Sequence, residues 1–265
     1  MDILQFLLLS VIQGLTEFLP VSSSAHLILV SEFLGKENQG IAFDVGVHFG
    51  TLLAATIYFR SDINKMFKTI LSEPLSVKKN TLSINLLIAV LPVLVLGFLF
   101  RDLIDLWLRN SLVIAHATIW FGVLLYFSYI ISKRKKQKKD INSLTILEAF
   151  IIGLFQCLAL IPGTSRSGIT ITAGLFLGLN ATAASRFSFL LAIPTIGAIT
   201  LSELVRTQYT EISLNFLELT LASSLSFLVA YLTIGTFLKL IERIGFTPFF
   251  IYRLLLGCWL LFYWT

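Results

Sequence analysis

Residues Ile161-Pro162-Gly163-Thr164-Ser165-Arg166-Ser167-Gly168-Ile169-Thr170 place a knot of polar and helix-breaking residues inside strongly apolar sequence. Pro162 and Gly163 interrupt a helix, and Thr164, Ser165, Ser167 and Arg166 then crowd three hydroxyls and a guanidinium against the freed backbone amides. A helix restarting after Pro-Gly points its N-terminal amides and dipole at whatever fills the break, which favours phosphate. Arg166 adds a planar charged fork suited to phosphate oxygens. The plainer alternative is a Pro-kinked helix whose hydroxyls bond back to carbonyls and whose Arg snorkels to the interface.

The surrounding chain decides the setting. Its 265 residues are 56% hydrophobic and 13% charged, with a mean hydropathy of +0.87, which excludes an ordinary soluble domain. Apolar stretches recur from end to end as a single membrane domain. The start, Met1-Asp2-Ile3-Leu4, lacks the basic region and cleavage site of a signal peptide, so the first segment is expected to be retained. Cys157 and Cys258 lie in apolar helical sequence without metal or redox spacing, and read as core packing. The net charge of +5 reports topology and lipid headgroups, not nucleic acid.

Breaks at Gly, Pro and charged clusters give about ten helical segments: roughly 3–18, 22–34, 41–60, 82–100, 111–131, 145–160, 166–178, 181–200, 214–238 and 248–263. Segments 22–34 and 166–178 are too short to span. Each follows a Pro break and is expected to pair with the preceding helix as a re-entrant hairpin. The expected fold is an all-α integral membrane protein of six full spans plus two re-entrant helical hairpins. Leu19-Pro20-Val21-Ser22-Ser23-Ser24 lines up with Ile161-Pro162-Gly163-Thr164-Ser165-Arg166. With three spans per half, that match predicts an inverted-topology repeat, residues 1–131 and 145–265 flanking a basic loop at 132–144.

Charge counting orients the chain. Arg60, Lys65, Lys68, Lys78, Lys79, the Lys133–Lys139 cluster, Lys239 and Arg243 fall on one side, whereas Lys36, Arg101, Arg109 and Arg206 fall on the other. The positive-inside rule makes the first side cytoplasmic.

The first break, Gln13-Gly14-Leu15-Thr16-Glu17-Phe18-Leu19-Pro20-Val21-Ser22-Ser23-Ser24-Ala25-His26, supplies the complementary chemistry. Gln13 and Glu17 share a helical face, and a carboxylate in a bilayer needs a cation. Candidates are Arg166, His26 or a divalent metal shared with phosphate oxygens. Ser22 can cap the second half-helix. A serine beside Glu17 or His26 has the arrangement of an activated nucleophile, and His26 is expected about one turn from Ser22 and Ser23, as nucleophile, acid or core residue. His48 and His116 read as packing residues, Asp44 as a supporting group or an N-terminal helix charge, and Arg186 as a second cation for phosphate or Glu17. Arg253 has no assignable role.

Gln13-xxx-Glu17 with Pro20-Val21-Ser22-Ser23-Ser24-Ala25-His26, and Pro162-Gly163-Thr164-Ser165-Arg166-Ser167-Gly168-Ile169-Thr170, resemble the two signature motifs of the undecaprenyl-diphosphate phosphatase family, the bacitracin-resistance phosphatases. The resemblance covers nearly the whole chain. It implies an enzyme of the bacterial cytoplasmic membrane that hydrolyses undecaprenyl diphosphate to undecaprenyl phosphate and inorganic phosphate, and so confers bacitracin resistance. It further implies functional roles for Glu17, Ser23, His26, Ser165, Arg166 and Thr170, and a divalent cation, Mg²⁺ or Ca²⁺. Combined with the residue reading, Glu17, Ser23, His26 and Arg166 are the expected catalytic set, Ser22, Ser165, Arg166, Ser167 and Thr170 the phosphate-binding set, and Glu17 with Gln13 the metal ligands. Many relatives carry Glu at the position of Gln13, so one anionic ligand is missing here. The expected partners are a polyprenyl diphosphate substrate and membrane lipids, with homodimerisation open. The site is expected to open to the periplasmic or outer side. A polyprenyl-phosphate transporter or flippase is the rival reading, since broken helices around an anion site suit it too; Glu17, Ser23 and His26 opposite Arg166 favour the hydrolase.

Overall fold

The computed structural model describes residues 3–33, 40–74, 76, 81–108, 110–135, 137–207 and 216–264, and no strand occurs among them. The chain folds as α1 (Ile3–Thr16), α2 (Ser23–Phe33), α3 (Ile41–Tyr58), α4 (Arg60–Ser72), α5 (Thr81–Leu99), α6 (Arg101–Trp107), α7 (Ser111–Arg134), α8 (Ile146–Cys157), α9 (Arg166–Phe176), α10 (Ala181–Thr207), α11 (Phe216–Ile244) and α12 (Thr247–Trp264). Five of these helices, α3, α5, α7, α10 and α11, are long and apolar enough to cross a membrane. The sixth expected span, α12, is apolar over Thr247–Tyr263. The protein is an all-α, multi-pass membrane protein.

The structure changes some boundaries. The stretch left between the expected segments 41–60 and 82–100 begins with α4, which follows a backbone break at Phe59 (φ −93°, ψ 17°) and buries none of its residues. Phe67, Ile70 and Leu71 are exposed on it near Lys65 and Lys68, the composition of a helix that lies along a bilayer surface. The spans α10 and α11 run several residues past their expected ends. Lys36, Lys78, Lys79, Arg109 and Lys136 lie outside the described residues.

Both short helical pairs pack by letting small residues approach a neighbouring backbone. At Gly14 of α1 an added Cβ would meet the Ser226 carbonyl of α11 at 2.8 Å, and at Gly153 of α8 it would meet the Ala89 carbonyl of α5 at 2.5 Å. A run of buried aromatics supports the centre: Phe18 packs edge-on against Phe189 of α10, with ring centroids 5.2 Å apart, and Phe189 meets Phe237 of α11.

The second pair returns to the side on which it began. Glu148, capping the start of α8 with Thr145, pairs with Lys139. At the far end of α9, the Lys139 amide donates to the Gly178 carbonyl (2.8 Å), and Lys135 Nζ donates to the Phe176 carbonyl (2.8 Å). The basic loop thus holds both ends of the hairpin, with a cation at the negative end of α9. The break between α8 and α9 lies at the other end of α7, where an added Cβ at Gly163 would meet the Ile114 carbonyl at 2.5 Å.

Candidate active site

Each break ends on a serine with a left-handed backbone. Ser22 (φ 74°) and Ser165 (φ 70°) are the non-glycine residues of positive φ among the described residues, and they immediately precede α2 and α9. Such a conformation is strained for a side-chain-bearing residue and clusters at functional sites. It also corrects the expected alignment: Pro20 lies two residues before its serine and Pro162 three before its own, so the second break is one residue longer. Ser23 therefore corresponds to Arg166 as the first residue of a half-helix, and both meet on Glu17.

Glu17, 8% exposed, is the centre of the site. Its Oε1 accepts from Arg166 Nη2 (3.1 Å), and its Oε2 accepts from Ser23 Oγ (2.7 Å) and Gln13 Nε2 (3.0 Å). Arg166 also donates through Nη1 to the Ser188 carbonyl (3.0 Å) and lies over the Phe18 ring. Two of its five donors are thus used for orientation, leaving the rest of the fork for a ligand. The expected pairing of Glu17 with Arg166 is present, and the serine that reaches the carboxylate is Ser23.

The remaining polar residues hold the two breaks together. Ser167 Oγ donates to the Leu19 carbonyl across the breaks (2.9 Å), and Ser165 Oγ caps α9 by accepting from the Gly168 amide (3.1 Å). Thr170 Oγ1 lies 2.7 Å from Ser188 Oγ and 2.9 Å from the Arg166 carbonyl. Ser22 Oγ lies near Ser24 Oγ at 3.3 Å. Among the residues expected to bind phosphate, Ser165, Ser167 and Thr170 are buried and engaged in building the frame around Arg166.

His26 stands apart from this centre. Its Nδ1 donates to the Ser22 carbonyl (2.7 Å), which leaves Nε2 to accept from the Tyr252 hydroxyl, and the two rings stack 5.6 Å apart. Both ring nitrogens are engaged away from Glu17. Conversely His48, read as packing, brings its Nε2 to 4.0 Å from Glu17 Oε2. Only its apolar helical neighbours were visible in sequence, and its approach to Glu17 is tertiary. Arg186, expected near phosphate, pairs instead with Asp62 at 3.0 Å. Cys258, expected in the core, is exposed, while Cys157 is half-buried and bonds to the Gly153 carbonyl.

Sequence reasoning could not place Arg253, yet it is the largest fully buried side chain among the described residues. From α12 it donates to five carbonyls: Thr118 (3.0 Å) and Ala117 (3.3 Å) of α7, Pro20 of the first break (3.3 Å), and Gly163 and Thr164 of the second (both 2.9 Å). Carbonyls freed from helical pairing by two Pro breaks would otherwise be buried without donors. A positive charge inside an otherwise apolar stretch was the available signal, since an intramembrane Arg needs partners.

Two re-entrant half-helices meeting on a buried carboxylate, with a hydroxyl on one side and a guanidinium on the other, define a membrane protein built to handle an anionic, phosphate-like group between broken helices. A family model described as "Bacitracin resistance protein BacA" matches residues 6–259. The chain is 48% identical over 269 residues to "Undecaprenyl-diphosphatase 1" of Pseudoalteromonas translucida, covering 100% of both chains. It is 49% identical over 262 residues to the undecaprenyl-diphosphatase of Hahella chejuensis, covering 97% of each, and 46% identical over 267 residues to "Undecaprenyl-diphosphatase 2" of Stutzerimonas stutzeri, covering 98% of each. The chain belongs to the BacA bacitracin-resistance family.

Proposed function

We propose that this chain is an undecaprenyl-diphosphate phosphatase, which releases inorganic phosphate and returns undecaprenyl phosphate to cell-wall synthesis. The observation that carries the reading is the single carboxylate of Glu17 bridging Ser23 Oγ and Arg166 Nη2. A carrier needs the guanidinium but has no use for a hydroxyl held 2.7 Å from a base. In this reading the free donors of Arg166 and the amides of the half-helices hold the terminal phosphate. Ser23 Oγ attacks its phosphorus as the bond to the bridging oxygen breaks, undecaprenyl phosphate leaves, and the serine proton passes to Glu17. Arg166 offsets the charge that builds on the phosphate. His26, with both nitrogens engaged, orders the first turn of α2 and takes no part in the proton transfer.

The donor set fits a divalent cation, Mg²⁺ or Ca²⁺, only together with substrate. Among the described residues no group of three or more His, Cys, Asp or Glu side chains could hold a metal. Gln13 Oε1, however, is buried without a hydrogen-bond partner, one turn from Glu17. Glu17 and Gln13 Oε1 would hold the ion, with diphosphate oxygens and water completing its shell. When bound, it would add charge neutralisation at the phosphate.

We place the protein in the bacterial cytoplasmic membrane, with the two halves as an inverted repeat and the site open to the outer side. In support, the second break packs at Ile114, Ala117 and Thr118 near the start of α7, whereas the basic loop follows its end. The separation is about 24–30 Å at 1.5 Å per residue. The test is phosphate release from undecaprenyl diphosphate by the detergent-purified protein, with Mg²⁺ or with EDTA, beside Glu17→Ala. Metal-dependent release lost in the variant is expected. No release by folded wild-type protein in several lipids and metals would shift the reading to the carrier.

A further inference from the structure

His48 lies on α3, outside both motifs, and faces the reacting carboxylate. Its Nδ1 is 2.7 Å from the Asp44 carbonyl, one turn earlier on the same helix. A carbonyl can only accept, so Nδ1 carries the hydrogen and Nε2 of the neutral ring presents a lone pair. That nitrogen is 4.0 Å from Glu17 Oε2. Two acceptors cannot bond each other, and the separation exceeds a direct hydrogen bond. It suits one water donating a hydrogen to Nε2 beside the carboxylate. The His48 side chain is 27% exposed against 7% for Glu17, so the imidazole is the more solvent-accessible of the two groups. Ser23 Oγ is 2.7 Å from the same Oε2. His48 Nε2 and Ser23 Oγ thus lie against the same carboxylate oxygen, which a water on Nε2 shares with the atom that carries phosphate after the first step.

We infer that His48 is a positioning residue for the second half of the reaction: its Nε2 holds the water that hydrolyses the Ser23-bound phosphate. The inference rests on the phosphatase reading. The water oxygen bonds to phosphorus as the Ser23 Oγ–P bond breaks. The proton left on Glu17 returns to Ser23 Oγ, and the phosphate departs with both water hydrogens. His48 acts throughout as a fixed acceptor, and its protonation state does not change.

The experiment compares wild type, His48→Gln, His48→Asn and His48→Leu with undecaprenyl diphosphate labelled in its terminal phosphate, by rapid acid quench. Gln places an acceptor near the position of Nε2; Asn and Leu do not. His48→Leu and His48→Asn are expected to lower kcat by about 10–100-fold, as mispositioning of a reactant does. They should also release one equivalent of undecaprenyl phosphate in a burst and accumulate acid-stable label on Ser23. His48→Gln is expected to stay within about threefold of wild type, since it keeps an acceptor for the water. If His48→Leu fails to fold, the Gln and Asn pair decides by the same readouts. Turnover unchanged in His48→Asn, slower turnover without bound label, or a Gln variant no better than Asn overturns the inference. Wild-type protein that releases neither product removes the phosphatase reading itself.

Discussion

The two breaks have the same outline and different contents. Both follow the end of a helix with a Pro, pass through a serine of positive φ and start a half-helix. The second is locked: Ser165 caps α9, residues Ser167–Leu175 are buried, and Arg253 grips the Gly163 and Thr164 carbonyls. The first break carries the Glu17 carboxylate and the Ser23 hydroxyl bonded to it, and α2 alternates buried residues with half-buried or exposed ones such as Ser23 and Ser24. One break is a frame that aims a guanidinium. The other supplies a carboxylate and a hydroxyl bonded to each other.

If the second break is the frame, its clamp should matter most. Arg253→Met keeps much of the apolar volume but withdraws the guanidinium donors from five carbonyls. Pro20, Gly163 and Thr164 lie outside helices, and each buried carbonyl left unpaired costs about 1–3 kcal/mol. Expression and detergent melting should show a protein that is unfolded or destabilised by several such increments. Arg253→Lys should not restore it, because an ammonium cannot reach carbonyls on both breaks and α7 at once. A near-normal melt for Arg253→Met would mean that the second break stands without its clamp.

A split of kinetic effects sharpens the same contrast. Ser23→Ala should lower kcat by about 10³-fold or more with KM little changed, since it removes the attacking atom. Arg166→Ala should lower kcat by about 10²–10³-fold and also raise KM, because the guanidinium holds phosphate in ground state and transition state alike. Combining Ser23→Ala with Glu17→Ala should add little to either alone, as residues acting as a unit are non-additive. Equal kcat and KM effects from Ser23 and Arg166 would erase the division between the breaks.

What the sequence made legible was local. Pro-Gly and Pro-Val breaks followed by hydroxyls located both hairpins, helix length separated spans from half-helices, and one carboxylate and one Arg in apolar surroundings had to find each other. The unread parts depend on tertiary approach. His48 and His26 both sit on helices four residues after the carbonyl their Nδ1 bonds, so local pattern could not tell which ring faces Glu17. Arg253 bonds to chain 89 to 233 residues away in sequence. The one-residue difference between the breaks was invisible because Ser22-Ser23-Ser24 and Thr164-Ser165-Arg166 offer several plausible caps, and only the backbone angle selects Ser22 and Ser165.

The smallest expected effect tests the two caps themselves. Ser22 and Ser165 have nearly the same φ, but Ser165 Oγ accepts from the Gly168 amide, whereas the contact described for Ser22 Oγ is with Ser24. Glycine at either position would relieve backbone strain of about 1 kcal/mol or more. At Ser165 it would also remove a helix cap, a loss of about a few tenths of a kcal/mol when glycine replaces it, so the net gain is smaller there. Ser22→Gly should therefore raise the melting temperature by about 2–4 °C, while Ser165→Gly should raise it by less. An equal rise in both would show that the Ser165 hydroxyl contributes nothing to α9. A fall in both would show that the surrounding contacts, not the serines, set the positive φ at the two breaks.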